Sequence, residues 1–251
     1  MKVRLDKLLT ERGLAASRER AQAIILAGRV LVNEQKVEKA GASVADDVGI
    51  RILGDDPPYV SRGGLKLARA MEHWHIDVAG KTCVDIGAST GGFTDCMLQA
   101  GAASVVAVDT GYGQMDARLR GDPRVRLLEK SNARYLTAVQ LWEDRAPEAV
   151  ALVAMDVSFI SATLVLPSVV ASVRRSSSSF QLVLLIKPQF EVGREKVGKG
   201  GIVRDAEAQQ GAVEKVRSAV EELGGAAIEV IESPILGNEG NREFLLHARF
   251  G

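Results

Sequence analysis

The segment Val84 to Asp95, VDIGASTGGFTD, constrains the fold of this 251-residue chain more than any other. An apolar run enters a glycine-rich turn, and the turn leads into a helical stretch. Glycines at such a turn let backbone N–H groups approach a ligand at the mouth of a strand, the usual ligand position in open α/β sheets. The dinucleotide fingerprint G-x-G-x-x-G is not met, because Ala88 and Ser89 follow Gly87. The segment therefore predicts a nucleotide-type cofactor site rather than a pyrophosphate site.

A second feature supports the same site. The apolar run SVVAVD, which begins at Ser104, ends in Asp109, about 20 residues after the glycine turn. At the end of a neighbouring strand a carboxylate can accept hydrogen bonds from both ribose hydroxyls of an adenosine. The alternative is a tight strand-to-helix turn that binds no ligand.

Further apolar runs alternate with helical stretches and predict an α/β sheet. Near-continuous runs of this kind are typical of parallel strands buried on both faces. The candidates are CVDIG from Cys83, SVVAVD from Ser104, VRLLE from Val125, ALVAMDVS from Ala151 and QLVLLIKP from Gln181. The last two runs, AAIEVIES and FLLHARF, are separated by a loop and predict an antiparallel edge hairpin.

The first part of the chain predicts a separate small α+β domain. Leu5, Leu8 and Leu9 recur at helical spacing, and a second helix is expected from Arg18 to Ala27, with Ser17 as its cap. Short strands are expected at Val30–Asn33 and Val48–Leu53, around the turn-rich EQKVEKAGAS. Asp55-Asp56-Pro57-Pro58 interrupts both helix and sheet, so we place the domains at residues 1–56 and 57–251.

Charge and cysteine content exclude several classes of protein. The chain has 32 basic and 32 acidic residues, so any attraction to nucleic acid must be local. Cys83 and Cys96 are too few for a disulfide scaffold and lack the spacing of a zinc site, and no metal site is predicted. Without an export signal or a membrane-length apolar run, we expect a cytoplasmic protein with no membrane association. Nothing in the pattern requires more than a monomer, which is our expectation.

Together these motifs resemble a known family. The glycine turn, Asp109 and the MDVSFIS segment resemble the class I, Rossmann-like S-adenosylmethionine methyltransferase fold. The segments YVSRGGLKL, VDIGASTGGFTD, DVSFIS, LIKPQFEVGREKVGKGGIVRD and SPILGNEGNREFLL are similar to those of the TlyA (haemolysin A) family of ribosomal RNA 2′-O-methyltransferases. The N-terminal RLDKLL and SRERAQAIILAGRVLVN resemble the αL RNA-binding module of a small-subunit ribosomal protein.

The resemblance to TlyA and to the related FtsJ-type enzymes implies a catalytic Lys-Asp-Lys-Glu tetrad. It falls here on Lys66, Asp156, Lys187 and Glu243. A ribose hydroxyl is a poor nucleophile and must lose its proton as it attacks, so Lys187 is the candidate proton acceptor. Burial or a cationic neighbour such as Lys66 would lower the pKa of Lys187, while the two carboxylates orient the ammonium and the hydroxyl. A strand-end lysine in solvent, a helix-capping aspartate and ordinary surface residues are the alternatives.

The resemblance also implies a set of S-adenosylmethionine contacts. They are Asp85, Gly87, Ser89, Gly91, Gly92 and Phe93 in the first loop, Asp109 at the ribose, Asn132 and Ala133 near the adenine, and Asp156. For Asn132 and Ala133 a plain turn is an equally good interpretation.

Basic residues in two regions are candidate RNA contacts. In the first domain the cations outnumber the acids, and arginine binds phosphate well. The candidates are Arg4, Lys7, Arg18, Arg20 and Arg29 there, and Arg62, Arg194, Lys196 and Lys199 in the second domain. The stretch from Gln189 to Asp205 is either a lid that grips RNA or a simple flexible loop. A solvated charged helix is the alternative for the first group.

These inferences predict methyl transfer from S-adenosylmethionine to a ribose 2′-hydroxyl of ribosomal RNA, with ribosomal RNA or ribosomal subunits as the partner. One alternative is a catalytically idle, ribosome-associated RNA-binding protein. Another is a membrane-lysing protein, suggested by the haemolysin name, although the sequence has no amphipathic membrane stretch.

Overall fold

The computed structural model describes residues 2–15, 17–26, 28–53, 58–143, 149–237 and 240–251, without the side chains of Glu19 and Ala23. The chain forms two compact units, Met1–Pro57 and Pro58–Gly251. Most of the expected boundary, at Asp55 to Pro58, lies outside the described residues. None of the helices within those described ranges is both long and apolar enough to cross a membrane.

The first unit packs two helices against short antiparallel strands. Its helices are α1 (Leu5–Glu11) and α2 (Arg18–Leu26). Its strands are β1 (Lys2–Arg4), β2 (Val30–Val32), β3 (Gln35–Val37), β4 (Ser43–Ala45) and β5 (Ile50–Ile52). Strand β1 pairs with β4, and β2 lies between β3 and β5. Leu5, Leu9 and Ile25 are fully buried at the centre of this unit, so helical leucine spacing did predict its core.

The segment EQKVEKAGAS contains the expected turns, at Glu34 and at Ala40 and Gly41, but also β3 and the first residue of β4, which the sequence did not predict. The cause is a two-residue hairpin turn. Asn33 and Glu34 have φ values of 48° and 64°, which place Val32 opposite Gln35. Two successive left-handed residues match the twist of a hairpin, and asparagine tolerates this conformation well.

The second unit contains a seven-stranded sheet, as the sequence predicts. The strands are β6 (Thr82–Ile86), β7 (Ser104–Val108), β8 (Val125–Leu128), β9 (Val150–Met155), β10 (Phe180–Ile186), β11 (Ala226–Glu232) and β12 (Phe244–Phe250). Their order is β11-β12-β10-β9-β6-β7-β8. Strands β6 to β10 pair in parallel, and β12 is antiparallel to both β10 and β11. The α/β class and the antiparallel edge are therefore confirmed.

Helices cover both faces of this sheet. They are α3 (Gly63–His73), α4 (Gly92–Gln99), α5 (Ala117–Arg120), α6 (Ala138–Trp142), α7 (Leu166–Arg174), α8 (Pro188–Glu191) and α9 (Ala206–Glu222). Alternate residues of a strand face opposite sides, so Val153 packs into the cluster with α6, α7 and α9, and Leu152 into the cluster with α3 and α4. Cys83 and Cys96 are buried free thiols of the second cluster.

Strand direction decides where the polar residues gather. Asp109, Asp156 and Lys187 each follow the last residue of a parallel strand, so all three lie at one edge of the sheet. Strand β12 runs the other way, and its first residue, Phe244, pairs with Ile186 at the end of β10. The antiparallel register therefore brings Glu243 to the edge that carries Lys187.

Candidate active site

The glycine turn after β6 brings two strand ends into close contact. Gly87 has a φ of 87°, and a Cβ atom added there would lie 2.4 Å from the backbone oxygen of Asp156. No other residue fits this position without displacing the Asp156 backbone. Gly91, with a φ of 95°, then precedes α4, and an added Cβ would lie 2.3 Å from a methyl group of Leu119. Both glycines are thus required by contacts within the protein, with the loop after β9 and with α5.

Asp109 joins the glycine turn to the loop after β7. Its carboxylate accepts hydrogen bonds from the backbone N–H groups of Ser89, at 2.8 Å, and Gly111, at 2.6 Å. The Ser89 hydroxyl donates in turn to Gln114 Oε1 at 3.2 Å. Asp109 therefore holds a fixed carboxylate at the mouth of the sheet.

A cavity of about 350 Å³ opens between these loops. Among the expected cofactor residues, its lining contains Gly87, Ser89, Asp109, Asn132, Ala133 and Asp156. Asp85, Gly91, Gly92 and Phe93 do not line it. Phe93 packs in the core beneath α3 and α4, only 3% exposed. A larger cleft, about 730 Å³, lies at the amino ends of β6, β9 and β10, away from the polar strand ends.

The four expected catalytic residues form two ion pairs. Lys187 Nζ lies 2.5 Å from Asp156 Oδ1, and Lys66 Nζ lies 2.6 Å from Glu243 Oε2. The second pair is buried, with side-chain exposures of 10% and 3%. Among the described residues no hydrogen bond or ion pair joins one pair to the other.

The contact between Lys187 and Asp156 has the distance of an ion pair without the alignment of a hydrogen bond, since Asp156 Oδ1 has no hydrogen-bond partner among the described residues. The well-aligned hydrogen bond of Lys187 is donated to Ser158 Oγ at 2.6 Å. The short distance to Asp156 stabilises the charge of the ammonium, and the Ser158 bond sets its orientation. The amine is thus held on two sides at the carboxyl end of β10.

Asp85 is a buried carboxylate with one unsatisfied oxygen. Its Oδ2 accepts from the Thr94 hydroxyl at 2.6 Å, whereas its Oδ1 has no hydrogen-bond partner among the described residues. Burial raises the pKa of Asp85 to about 7; the Thr94 hydrogen bond opposes this rise and the negative charge of Asp156 adds to it. Asp85 has no exposed surface and is the penultimate residue of β6, just before the glycine turn.

Two residues that sequence reasoning missed shape the surroundings of Glu243. A Cβ atom at Gly237 would lie 2.2 Å from Glu243 Oε1, so only glycine leaves room for that carboxylate. Asn241, 3% exposed, accepts from the N–H of Val203 at 3.0 Å and donates to the oxygen of Gly201 at 2.9 Å. The segment predicted to be a lid or a flexible loop is therefore hydrogen-bonded to the loop that carries Glu243.

A buried glutamate fixes the loop after β9. Glu191 accepts hydrogen bonds from the Ser161 hydroxyl at 2.5 Å and from the N–H of Ala162 at 2.7 Å. Lys215 Nζ lies 3.2 Å from the same carboxylate. No periodic pattern in the sequence indicates this network, since its members lie on three separate elements.

Phe159 is the most exposed apolar side chain at the site. It is 92% exposed, lines the cavity, and has a φ of 63°. Its ring centroid lies 5.4 Å from that of Phe190, which supports it from one side. Exposing a phenylalanine in a strained backbone conformation is unfavourable, which suggests that a ligand covers the ring. The DVSFIS segment contained this residue, but only the structure reveals its exposure.

The candidate RNA-binding residues differ in the contacts that they make within the protein. A guanidinium nitrogen of Arg62 donates to the backbone oxygen of Leu236. Arg194, Lys196 and Lys199 are exposed in the segment after β10. In the first unit, Arg29 Nε donates to the Leu53 oxygen at 2.8 Å, and Lys7 pairs with Glu11 at 3.4 Å. The backbone N–H of Arg20 donates to the Ser17 hydroxyl at 3.2 Å. Arg4 and Arg18 both contact Asp6.

Comparison with known proteins matches each of the two units to a family. Residues 59–250 match the model of the FtsJ-like methyltransferase family, and residues 3–47 match that of the S4 domain. The chain is 43% identical over 99% of its length to the 16S/23S rRNA (cytidine-2′-O)-methyltransferase TlyA of Mycobacterium tuberculosis, of which it covers 90%. It is 40% identical over 98% of its length to Hemolysin A of Brachyspira hyodysenteriae, of which it covers 99%. A solved structure of a Streptococcus thermophilus protein that carries the hemolysin name is 40% identical, with a TM-score of 0.76 over 99% of this chain and 88% of that one.

Proposed function

Because the chain belongs to the TlyA family of FtsJ-like methyltransferases and begins with an S4 domain, we propose that it methylates a ribose 2′-hydroxyl of ribosomal RNA, with S-adenosylmethionine as donor. The observation that carries this proposal is the Lys187–Asp156 ion pair, 2.5 Å long, beside the cavity at the carboxyl edge of the sheet. The name of the Mycobacterium tuberculosis relative, an rRNA (cytidine-2′-O)-methyltransferase, supports the ribose 2′-oxygen as the acceptor and ribosomal RNA as the substrate.

The cavity fits the proposed donor. Its volume of about 350 Å³ lies within the usual range for small-molecule sites. Asp109 would accept from the ribose hydroxyls, and Asn132 and Ala133 also line the cavity. The unsatisfied Oδ1 of Asp85 is buried and does not line this cavity, so no contact with the donor is assigned to it. When bound, S-adenosylmethionine supplies an electrophilic methyl group on a sulfonium that leaves as a neutral thioether.

Lys187 is the proposed proton acceptor. In its neutral form the amine takes the proton of the 2′-hydroxyl while the new oxygen–carbon bond forms and the sulfur–carbon bond breaks. Asp156 stabilises the ammonium that results, and Ser158 fixes the direction of the Nζ atom. The proposed role of Glu243, which is ion-paired with Lys66 and directly precedes the neighbouring strand β12, is to orient the hydroxyl.

Replacement of Asp109 by alanine is expected to weaken S-adenosylmethionine binding by about 10- to 100-fold, since hydrogen bonds to a charged group contribute about 1.5–3 kcal/mol each. The same change removes the acceptor for the N–H groups of Ser89 and Gly111. Calorimetric titration of the purified protein with S-adenosylmethionine measures the effect. Asp77→Ala removes the same charge near the amino end of β6 and is the control; equal weakening by both would contradict the assignment.

Replacement of Phe159 by alanine is expected to raise KM for RNA about tenfold or more, because stacking of a base on an aromatic ring contributes about 1–3 kcal/mol. Phe159→Trp retains a π-face and should keep KM near that of the wild type. Steady-state transfer assays with varied RNA, together with calorimetry for the cofactor, separate the two ligands. A loss confined to S-adenosylmethionine binding would place the ring at the cofactor instead.

The proposed activity is tested by transfer of radiolabelled methyl from S-adenosylmethionine to purified bacterial 30S and 50S subunits. Alkali-resistant label at a discrete ribose is the expected result. Absence of label on either subunit, with cofactor binding intact, would reject ribosomal RNA as the substrate. Absence of cofactor binding would reject methyl transfer altogether.

A further inference from the structure

Asp6 is a buried carboxylate that gathers five donors in the first unit. Its side chain has no exposed surface. Arg4 donates to it from Nε at 3.0 Å and from Nη2 at 2.8 Å, and Arg18 donates from Nε at 3.2 Å. Gln22 Nε2 and the backbone N–H of Lys7 also donate, each at 2.9 Å. The hydrogen bond from Arg4 outweighs burial and holds the pKa of Asp6 far below its ordinary value, so the carboxylate is ionised.

The two arginines reach Asp6 from different elements, since Arg4 is the last residue of β1 and Arg18 lies in α2. Arg4 directly precedes α1, and Arg18 is the first residue of α2. Two guanidinium groups repel each other, and a shared carboxylate between them offsets that repulsion. Asp6 therefore holds together two like charges that the chain alone would not place side by side.

Both guanidinium groups keep donors that Asp6 does not use. Arginine has five N–H donors, and Arg18 donates to Asp6 only from Nε. Its Nη1 and Nη2 atoms make no hydrogen bond within the described residues. The side chains of Arg4 and Arg18 are 52% and 51% exposed. A Cβ atom at Gly41 would lie 3.3 Å from Arg4 Nη1, so glycine there leaves room for the Arg4 group. A guanidinium edge that faces solvent matches the oxygens of a phosphate.

We propose that Asp6 is a positioning residue that holds Arg4 and Arg18 as a preformed clamp for backbone phosphates of RNA. The proposal rests on the proposed function, because it takes the ribosomal RNA that is methylated to be also the ligand of the first unit. Fixing the two side chains in advance reduces the conformational entropy that they lose when phosphate binds. Asp6 itself touches no RNA and acts only through the two arginines.

The direction in which Asp6→Asn changes the affinity for RNA distinguishes this positioning role from an effect of net charge alone. Asp6→Asn removes a negative charge, and net charge alone would then strengthen binding to RNA. The clamp requires the opposite, because an amide has one acceptor oxygen instead of two and no negative charge to offset the repulsion between the guanidinium groups. Asp47→Asn is the matched control, since it removes the same charge from an exposed position in the same unit.

The experiment measures binding of the full chain to purified 16S and 23S ribosomal RNA over a series of KCl concentrations. For Asp6→Asn we expect affinity to fall about tenfold. The slope of log K against log [KCl] is negative, and we expect its magnitude to become smaller by about 1 to 2, which corresponds to the loss of one or two phosphate contacts. Asp47→Asn should keep the wild-type slope. In an Arg4→Gln/Arg18→Gln background, Asp6→Asn should not reduce the magnitude of the slope any further.

Folding is followed by circular dichroism, and binding is measured at a temperature where each variant is folded. If Asp6→Asn does not fold, Arg18→Gln is tested instead, because it leaves Asp6 bonded to Arg4, Gln22 and Lys7. The magnitude of the salt slope of this variant should be smaller than that of the wild type by about 1. A folded Asp6→Asn or Arg18→Gln variant with wild-type affinity and slope would overturn the clamp, as would an equal loss in Asp47→Asn. Failure of the wild-type chain itself to bind either RNA would instead reject the proposed function.

Discussion

Substitution of Lys187 by methionine is expected to lower the rate of methyl transfer by about 10²- to 10⁴-fold, the usual contribution of a positioned proton acceptor. Methionine keeps much of the side-chain volume and removes the amine that lies 2.5 Å from Asp156 and 2.6 Å from Ser158. Lys187 does not line the cavity proposed for S-adenosylmethionine, so cofactor binding should be nearly unchanged. Single-turnover transfer to ribosomal subunits and calorimetry with the cofactor measure the two effects separately.

Lys187→Arg is the matched control for charge. Arginine preserves the positive charge near Asp156 but does not deprotonate in proteins, so it cannot accept the hydroxyl proton. We expect this variant to be as slow as Lys187→Met. An arginine variant with wild-type rate would show that the charge at this position, and not proton transfer, is what the reaction requires.

Breaking the pair between Lys66 and Glu243 is expected to lower the free energy of unfolding by about 3–5 kcal/mol, because removal of either partner leaves an uncompensated buried charge. The pair is 2.6 Å long, with side chains only 10% and 3% exposed. Lys66→Met and Glu243→Gln should each show this loss in urea denaturation and should also abolish most transfer activity. The double variant has no buried charge at this place and should regain most of the stability without regaining activity.

An exposed pair on the same helix provides the comparison. Arg69 and Glu72 lie 3.2 Å apart with side-chain exposures of 45% and 76%. Arg69→Ala should change the free energy of unfolding by less than about 1 kcal/mol, as is usual for surface pairs. Recovery of activity together with stability in the double variant would limit Lys66 and Glu243 to a structural role.

Local pattern was sufficient for the fold of the second unit. Strands buried on both faces leave near-continuous apolar runs, and each of the seven predicted runs became a strand that starts within one residue of the expected position. Gly87 was predictable for the same kind of reason, because only glycine allows the backbone approach at the strand mouth. The first unit was predicted less completely, since the hairpin at Asn33 and Glu34 depends on two left-handed residues of which only asparagine is a recognisable signal.

The hydrogen bonds and ion pairs of the site could not be predicted from local sequence pattern. Lys66 and Glu243 are 177 residues apart, and only family resemblance indicated that they act together. Gly237 and Asn241 lie in the SPILGNEGNREFLL segment and Glu191 in LIKPQFEVGREKVGKGGIVRD, but the resemblance assigned them no role. Their contacts with distant partners are not visible in the sequence. Asp6 resembled an ordinary acidic residue of a charged helix, and only burial identified it as the centre of an arginine cluster.

The sequence by itself determined the α/β class, the strands, the glycine turn and the residues at the ends of β7, β9 and β10, because hydrophobic periodicity and glycine conformation act over a few neighbouring residues. Only the tertiary structure decided which charges meet. Strand order placed Lys187 beside Asp156, and the antiparallel register of Phe244 with Ile186 brought Glu243 to the same edge. Such pairings follow from how distant segments bury their surfaces together, a property that no local pattern contains.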